Sequence, residues 1–178
     1  GKAGVISISA PTVTINGGTI SGQSTSVSQA ATGGSIMIEA DNFNVSNGGN
    51  IRADSKGPAH AGNITINSSS MNISQDAIIQ SSTSGSGNAG NIDIQVDHLT
   101  LSNHALISSS STFQSNTAGS AGAITIQGTT GAGSAATLVS LDNSTISTTI
   151  NGGTSLTTPA TIDITAQTVN LTNGAQIK

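Results

Sequence analysis

One short phrase recurs six times along the chain: a small residue, then two β-branched or apolar residues separated by a single small or polar one. It reads Gly4-Val5-Ile6-Ser7-Ile8, Gly34-Ser35-Ile36-Met37-Ile38, Gly62-Asn63-Ile64-Thr65-Ile66, Gly90-Asn91-Ile92-Asp93-Ile94, Gly122-Ala123-Ile124-Thr125-Ile126 and Ala160-Thr161-Ile162-Asp163-Ile164. The first Ile of each copy falls at 6, 36, 64, 92, 124 and 162, which gives steps of 30, 28, 28, 32 and 38 residues. Strand-like phrases at a near-constant period describe a solenoid, in which each copy buries its apolar face only by stacking on its neighbours.

Two further segments keep the same phase. A second apolar pair follows at Val13/Ile15, Phe43/Val45, Met71/Ile73, Leu99/Leu101, Val139/Leu141 and Val169/Leu171, delayed in the fifth copy by an insertion over 128–136. A third inward position follows at Ile20, Ile51, Ile79, Ile107, Ile146 and Ile177. Alternation with period two places these side chains on one face of each strand. Copies one period apart then lie side by side at about 4.8 Å, in parallel register. The expected fold is therefore all-β: a single-stranded parallel β-helix of about six coils, three short strands per coil, with core columns through Ile36, Ile64, Ile92, Ile124 and Ile162 and through Ile51, Ile79 and Ile107. The general rule for parallel crossovers makes it right-handed. Residues 1–178 read as one β-helix unit, and because the pattern is already running at both ends, as a segment of a longer repeat protein.

Between the second and third segments runs a turn column of Asn47, Asn103, Asn143 and Asn173, completed by Gln75-Asp76 and Asn16-Gly17. Asn and Gly tolerate positive φ, and stacked amides can hydrogen-bond along such a column. Beyond the third segment the pattern dissolves into polar runs of variable length, expected to form loops along one edge.

Composition narrows the function. Only 7% of residues are charged, Trp and Tyr are absent and Phe occurs twice, while the net charge is −4. The cations Lys2, Arg52, Lys56 and Lys178 are scattered, without the basic clusters and aromatic platforms that nucleic acid requires. There is no membrane-length apolar run and no recognisable signal peptide. Cysteine is absent, which removes disulfides and thiolate metal sites and suits a protein exported without redox processing.

Chemical motifs are weak. The eight carboxylates do not gather by column: Asp41 and Asp97 are equivalent but separated by Ser69, and Asp93 and Asp163 are two coils apart. Asp76 stacks beside His104, which reads as a solvated contact rather than an acid–base pair. His60, His98 and His104 fall in different columns, so no metal-ligand spacing arises. The pairs Gly17-Gly18, Gly33-Gly34, Gly48-Gly49 and Gly152-Gly153 lack the remainder of a calcium-binding nonapeptide. Gly85–Gly90 precedes a strand and lacks the Lys-Ser/Thr of a phosphate loop. No cofactor site is expected.

The run Gly87-Asn88-Ala89-Gly90-Asn91-Ile92-Asp93-Ile94, with Leu99-Thr100-Leu101-Ser102-Asn103 and Ala105-Leu106-Ile107-Ser108 after it, resembles the repeats of filamentous-haemagglutinin-like exoproteins of bacterial two-partner secretion. Ala61–Ile66 and Leu171–Ile177 match the same pattern. The resemblance implies export through an outer-membrane β-barrel transporter, engaged by a region outside this segment. It also implies a structural or adhesive role in a secreted surface filament, facing a glycan or protein receptor. Unpaired coil edges predict end-to-end self-association or capping by adjacent repeats. The rivals are a polysaccharide-degrading β-helix enzyme and a glycan-binding module.

Overall fold

A computed structural model of the chain describes residues 3–28, 31–114, 118–151 and 160–178. The described residues form an all-β solenoid, with no helix among them and every strand pairing among them parallel. The first coil contributes β1 (Val5–Ser9), β2 (Thr12–Asn16) and β3 (Thr19–Ser21). Coils two to four contribute β4 (Ser35–Ser46) and β5 (Asn50–Arg52), β6 (Ile64–Ser74) and β7 (Ile78–Gln80), and β8 (Ile92–Ser102) and β9 (Leu106–Ser108). The fifth has β10 (Ile124–Gln127), β11 (Leu138–Asp142) and β12 (Thr145–Ser147), and the sixth β13 (Ile162–Ile164), β14 (Val169–Thr172) and β15 (Gln176–Ile177). One sheet runs β1-β4-β6-β8-β10-β13 and carries β2, β11 and β14 as well; the other is β3-β5-β7-β9-β12-β15.

The first two segments of each coil, separate in coils one, five and six, run on as single strands of 12, 11 and 11 residues in β4, β6 and β8. The strand stays continuous through a bend at Ala40, Ser68 and Val96. In coil two both Asp41 N–H and Asn42 N–H donate to Pro11 C=O, so two residues face one acceptor and the strand turns without losing its ladder. In coil three the buried Ser68 hydroxyl donates to Asp41 C=O and Ser70 C=O, at 3.2 and 2.9 Å, on the inner side of the bend.

The apolar residues stack in register. Ile6, Ile36, Ile64, Ile92, Ile124 and Ile162 are successive partners along the first wall, as are Val13, Phe43, Met71, Leu99, Val139 and Val169 along the second. Ile20, Ile51, Ile79, Ile107, Ile146 and Ile177 do the same along the third. Ile36, Ile64, Ile92, Ile124, Ile51, Ile79, Ile107 and Ile146 are at most 1% exposed, whereas Ile162 in the last coil is partly buried. Complete burial of each such side chain stabilises by about 1.5–3 kcal/mol.

The polar runs form loops, as expected, and among the described residues their backbones also stack from coil to coil. Isolated parallel bridges join Ser24, Ser55, Thr83, Ser111 and Ile150 in sequence, and another joins Thr32 to His60. Ala31, Ala59, Ala61, Ala89 and Ala121 are buried there, in a second, small-residue layer beside the aliphatic core. Small side chains suit the site because stacked loop backbones leave room for nothing larger. Gly152 and Gly153, with most of the polar run from Ser147 to Pro159, lie outside the described residues, as do Lys2 and parts of the runs from Gly22 and Ser108.

Candidate functional site

Two features hold the coils together outside the aliphatic columns. The first is the turn column. Asn47, Asn103, Asn143 and Asn173 have φ of 51°, 51°, 45° and 50°, and Gln75, Asp76, His104, Gly48 and Gly174 are also left-handed. In coil two Gly49 N–H donates to Ser46 C=O at 2.9 Å, and Ala175 repeats this with Thr172 at 3.0 Å. Two consecutive left-handed residues inside such a bond form the type I′ pattern that Asn-Gly favours. The turns are joined vertically by backbone: Gly48 N–H donates to Gln75 C=O at 2.8 Å, Asp76 N–H to Asn103 C=O at 3.0 Å, and His104 N–H to Asn143 C=O at 2.8 Å. The side-chain amides do not form an unbroken ladder. Asn47 donates to Asn16 Oδ1 at 2.7 Å, but Asn143 meets His104 Nε2 at 3.1 Å and Asn173 donates to Asp142. Gln75 interrupts the Asn column and the side chains are exposed, so water competes for each amide.

The second feature is a pinched neck between core and loop layer. In coils one and two it closes directly, Gly34 N–H donating to Gly22 C=O and Gly62 N–H to Ala53 C=O, each at 2.8 Å. In coil three the fully buried Ser81 hydroxyl enters the neck, donating to Gly62 C=O at 2.5 Å and accepting from Gly90 N–H at 3.2 Å. Ser109 repeats this one coil on, donating to Gly90 C=O at 2.6 Å and accepting from Gly122 N–H at 3.1 Å. Thr148 then donates to Gly122 C=O at 2.9 Å. Each hydroxyl thus bridges two coils. The opening Gly of the sequence phrase is required here: a Cβ on Gly90 would lie 2.7 Å from the Gly62 carbonyl carbon and 2.6 Å from Ser81 Oγ. The phrase is therefore a steric rule as well as a repeat marker, and Ser81 and Ser109, spaced by the same 28 residues, could have been read with it.

The titratable groups remain dispersed. Asp76 Oδ1 and His104 Nδ1 are 3.8 Å apart, with side chains 79% and 69% exposed, so solvent screens the pair. Asp41, Ser69 and Asp97 follow one another by one period in sequence and fall at the step in the register, between the paired rows Ala40, Ser68, Val96 and Asn42, Ser70, His98. Asp93 lies between Thr65 and Thr125, and Asp163 follows Thr125. Burial raises the Asp93 carboxyl above the ordinary range, against a lowering hydrogen bond from Thr125. His60 Nδ1 accepts Asn88 N–H at 2.9 Å and so acts within the loop ladder. Among the described residues no group of three or more His, Cys, Asp and Glu could hold a metal ion.

Asp54, which the sequence gave no reason to single out, is the exception to this exposure. It is 7% exposed, accepts Ser82 N–H at 2.7 Å, and receives Gln23 Nε2 at 3.3 Å and Arg52 at 3.4 Å. Arg52 also donates to Gln80 Oε1 at 3.0 Å. Burial raises the Asp54 carboxyl, and the Ser82 N–H, Gln23 and Arg52 offset part of that rise. The Arg52–Asp54 pair lies within one coil, and its hydrogen bonds to Gln23 on one side and to Ser82 and Gln80 on the other staple three coils together.

The end faces differ chemically from the flanks. Val169 and Leu171 are 45% and 48% exposed, while Val139 and Leu141, one coil earlier in the same columns, are fully buried. At the other end Ile6 and Ile8 are only partly buried, while Ile36 and Ile38, their partners one coil on, are 1% exposed. No helix among the described residues is long and apolar enough to cross a membrane. Comparison with family models, curated proteins and solved structures returns no match.

Proposed function

We propose that this chain is a structural and adhesive segment of a secreted bacterial surface filament, without catalysis of its own. The observation that carries the reading is the contrast between end and flank. Side chains that a neighbouring coil buries completely at Val139 and Leu141 stand half-exposed at Val169 and Leu171, beside unpaired strand backbone. Another coil of the same kind satisfies both at once. Finishing the burial of each of these two side chains is worth roughly 1 kcal/mol, half of a full Val or Leu burial. The occupant is a coil from adjacent repeats or from a second copy, which lengthens the rod along its axis.

Composition and resemblance support the secreted setting: a cysteine-free chain rich in Ser, Thr, Asn and Gly, with repeats resembling those of filamentous-haemagglutinin-like exoproteins. In that setting a barrel transporter in the outer membrane acts on a region outside this segment, and a receptor on another cell or host is met by the flank. Dispersal of the carboxylates and histidines favours this reading over a glycoside hydrolase, which needs two carboxylates at a fixed separation across the scissile bond.

Sedimentation velocity over a range of concentrations tests it. The expected result is growth of the sedimenting species with concentration, lost in Leu171→Lys, which places a charge on the end face. A concentration-independent monomer for the wild-type chain would overturn self-association.

A further inference from the structure

The outward side of the strand bend forms a trough, about 550 Å³ in volume, running along the solenoid axis. One bank is a register row of Ser9, Glu39 and Asn67, each paired with the next; Gln95 and Gln127 continue the row beyond the lining. The opposite bank carries Pro11, Asp41 and Ser69, and Asp97 follows Ser69 by one period. Ala10 and Ala40 lie between the banks and keep the floor low. The lined part of the row crosses two coil-to-coil steps, a length of about 10 Å.

The insertion over 128–136 is seated at one end of this trough. Thr129 lines it and donates to Asp97 Oδ1 at 2.6 Å, while Gly133 N–H donates to Gln127 Oε1 at 2.8 Å. Gly128 N–H closes the insertion on Ser134 C=O at 2.8 Å. The departure from the repeat that the sequence shows in the fifth copy is thus tied to both banks and ends the trough there.

From this we infer that the trough is a binding site for a linear, uncharged, hydroxyl-rich glycan laid along the solenoid axis. Backbone in the banks is already committed to the coils on either side, so an added peptide strand finds no free ladder. Side chains alone are offered, and they are amides, hydroxyls and carboxylates at the coil repeat. Sugar hydroxyls donate to Glu39 and Asp41 in charge-assisted bonds, and Asn67 both donates and accepts. No Lys or Arg lines the trough, so acidic polymers meet only repulsion. The bare floor admits a sugar ring where an aromatic platform would otherwise stand. The inference deepens the adhesive part of the proposed function and is independent of end-to-end assembly.

Affinity electrophoresis of the chain through gels containing hydroxyethylcellulose, galactomannan or dextran tests it, with polygalacturonate as the acidic comparison. At least one neutral polymer retards the wild-type chain, and the double variant Glu39→Gln, Asp41→Asn weakens that retardation by about tenfold or more. The pair is exposed and isosteric, so circular dichroism and sedimentation of the variant match wild type. Absence of retardation by every neutral polymer, or undiminished retardation of the double variant, overturns the inference. Binding of oligolysine in preference to any neutral polymer overturns it too, by assigning the trough to simple charge attraction. None of these outcomes alters the sedimentation test of assembly.

Discussion

Replacing Gly90 by Ala tests whether coil spacing is set by the glycine column. The added methyl would sit 2.6 Å from Ser81 Oγ and 2.7 Å from the Gly62 carbonyl carbon, well inside any normal Cβ contact. Relief cannot come from a flexible side chain alone, because the nearest obstacle of all is the Gly62 carbonyl oxygen, backbone of the adjacent coil. Overpacking of this kind costs about 1–3 kcal/mol, and displacing Ser81 from the neck leaves buried Gly90 N–H short of a partner, adding about 1 kcal/mol. The expected total is about 3 kcal/mol. Gly4 provides an internal control: it holds the same place in the first coil, and a Cβ there meets nothing within 4 Å. Gly48→Ala is a second control, with open space but a φ of 71°, so that only backbone strain of about 1 kcal/mol applies. Urea unfolding followed by circular dichroism gives the midpoints, and the comparison is sound only if the slope is unchanged among variants. A Gly90→Ala midpoint no lower than that of Gly48→Ala would refute the steric argument.

Four further outcomes follow from the same geometry. Ser109→Ala removes a buried hydroxyl that serves both Gly90 C=O and Gly122 N–H, and should lower stability by about 2 kcal/mol in urea unfolding. Asn103→Gly should leave the midpoint unchanged or raise it, whereas Asn103→Ala, forced to a φ of 51°, should lose about 1 kcal/mol. The Asp54 carboxyl is raised above 3.8 in the fold, so the native state holds its proton more tightly than the unfolded chain. Its stabilising contribution is then complete below 3.8 and is lost as pH rises through the folded value; Asp54→Asn should flatten that part of the urea midpoint against pH, and an unchanged slope would contradict the assignment. His104→Asn, which keeps a residue type that tolerates the φ of 64°, should change stability by less than about 0.5 kcal/mol, because the contact with Asp76 is exposed.

The exposed pair also illustrates why the site chemistry was harder to read than the fold. Column alignment put Asp76 beside His104 correctly, yet adjacency in a column says nothing about solvent, and the 3.8 Å separation with both side chains open to water leaves the pair inert. Asp54 shows the converse. No pattern of apolar spacing marks it, because its burial depends on a loop layer whose order the variable lengths concealed. The amide column misled in a third way: positive φ followed from residue type, but whether Asn47 or Asn143 bonds its vertical neighbour depended on side-chain geometry that Gln75 and His104 interrupt.

What the sequence determined by itself was the stacking. Ile36, Ile64, Ile92 and Ile124 recur in one phase, and a parallel ladder is the arrangement in which all of them are buried by their own counterparts. Only the tertiary structure decided what lies between and outside the columns: the Ser81 and Ser109 bridges, the buried Asp54 staple, and the trough closed by the insertion at 128–136. The reason is physical. Hydrophobic stacking is one-dimensional and nondirectional, so it leaves a period in the chain, whereas hydrogen bonds and steric limits between coils depend on where two backbones meet in space.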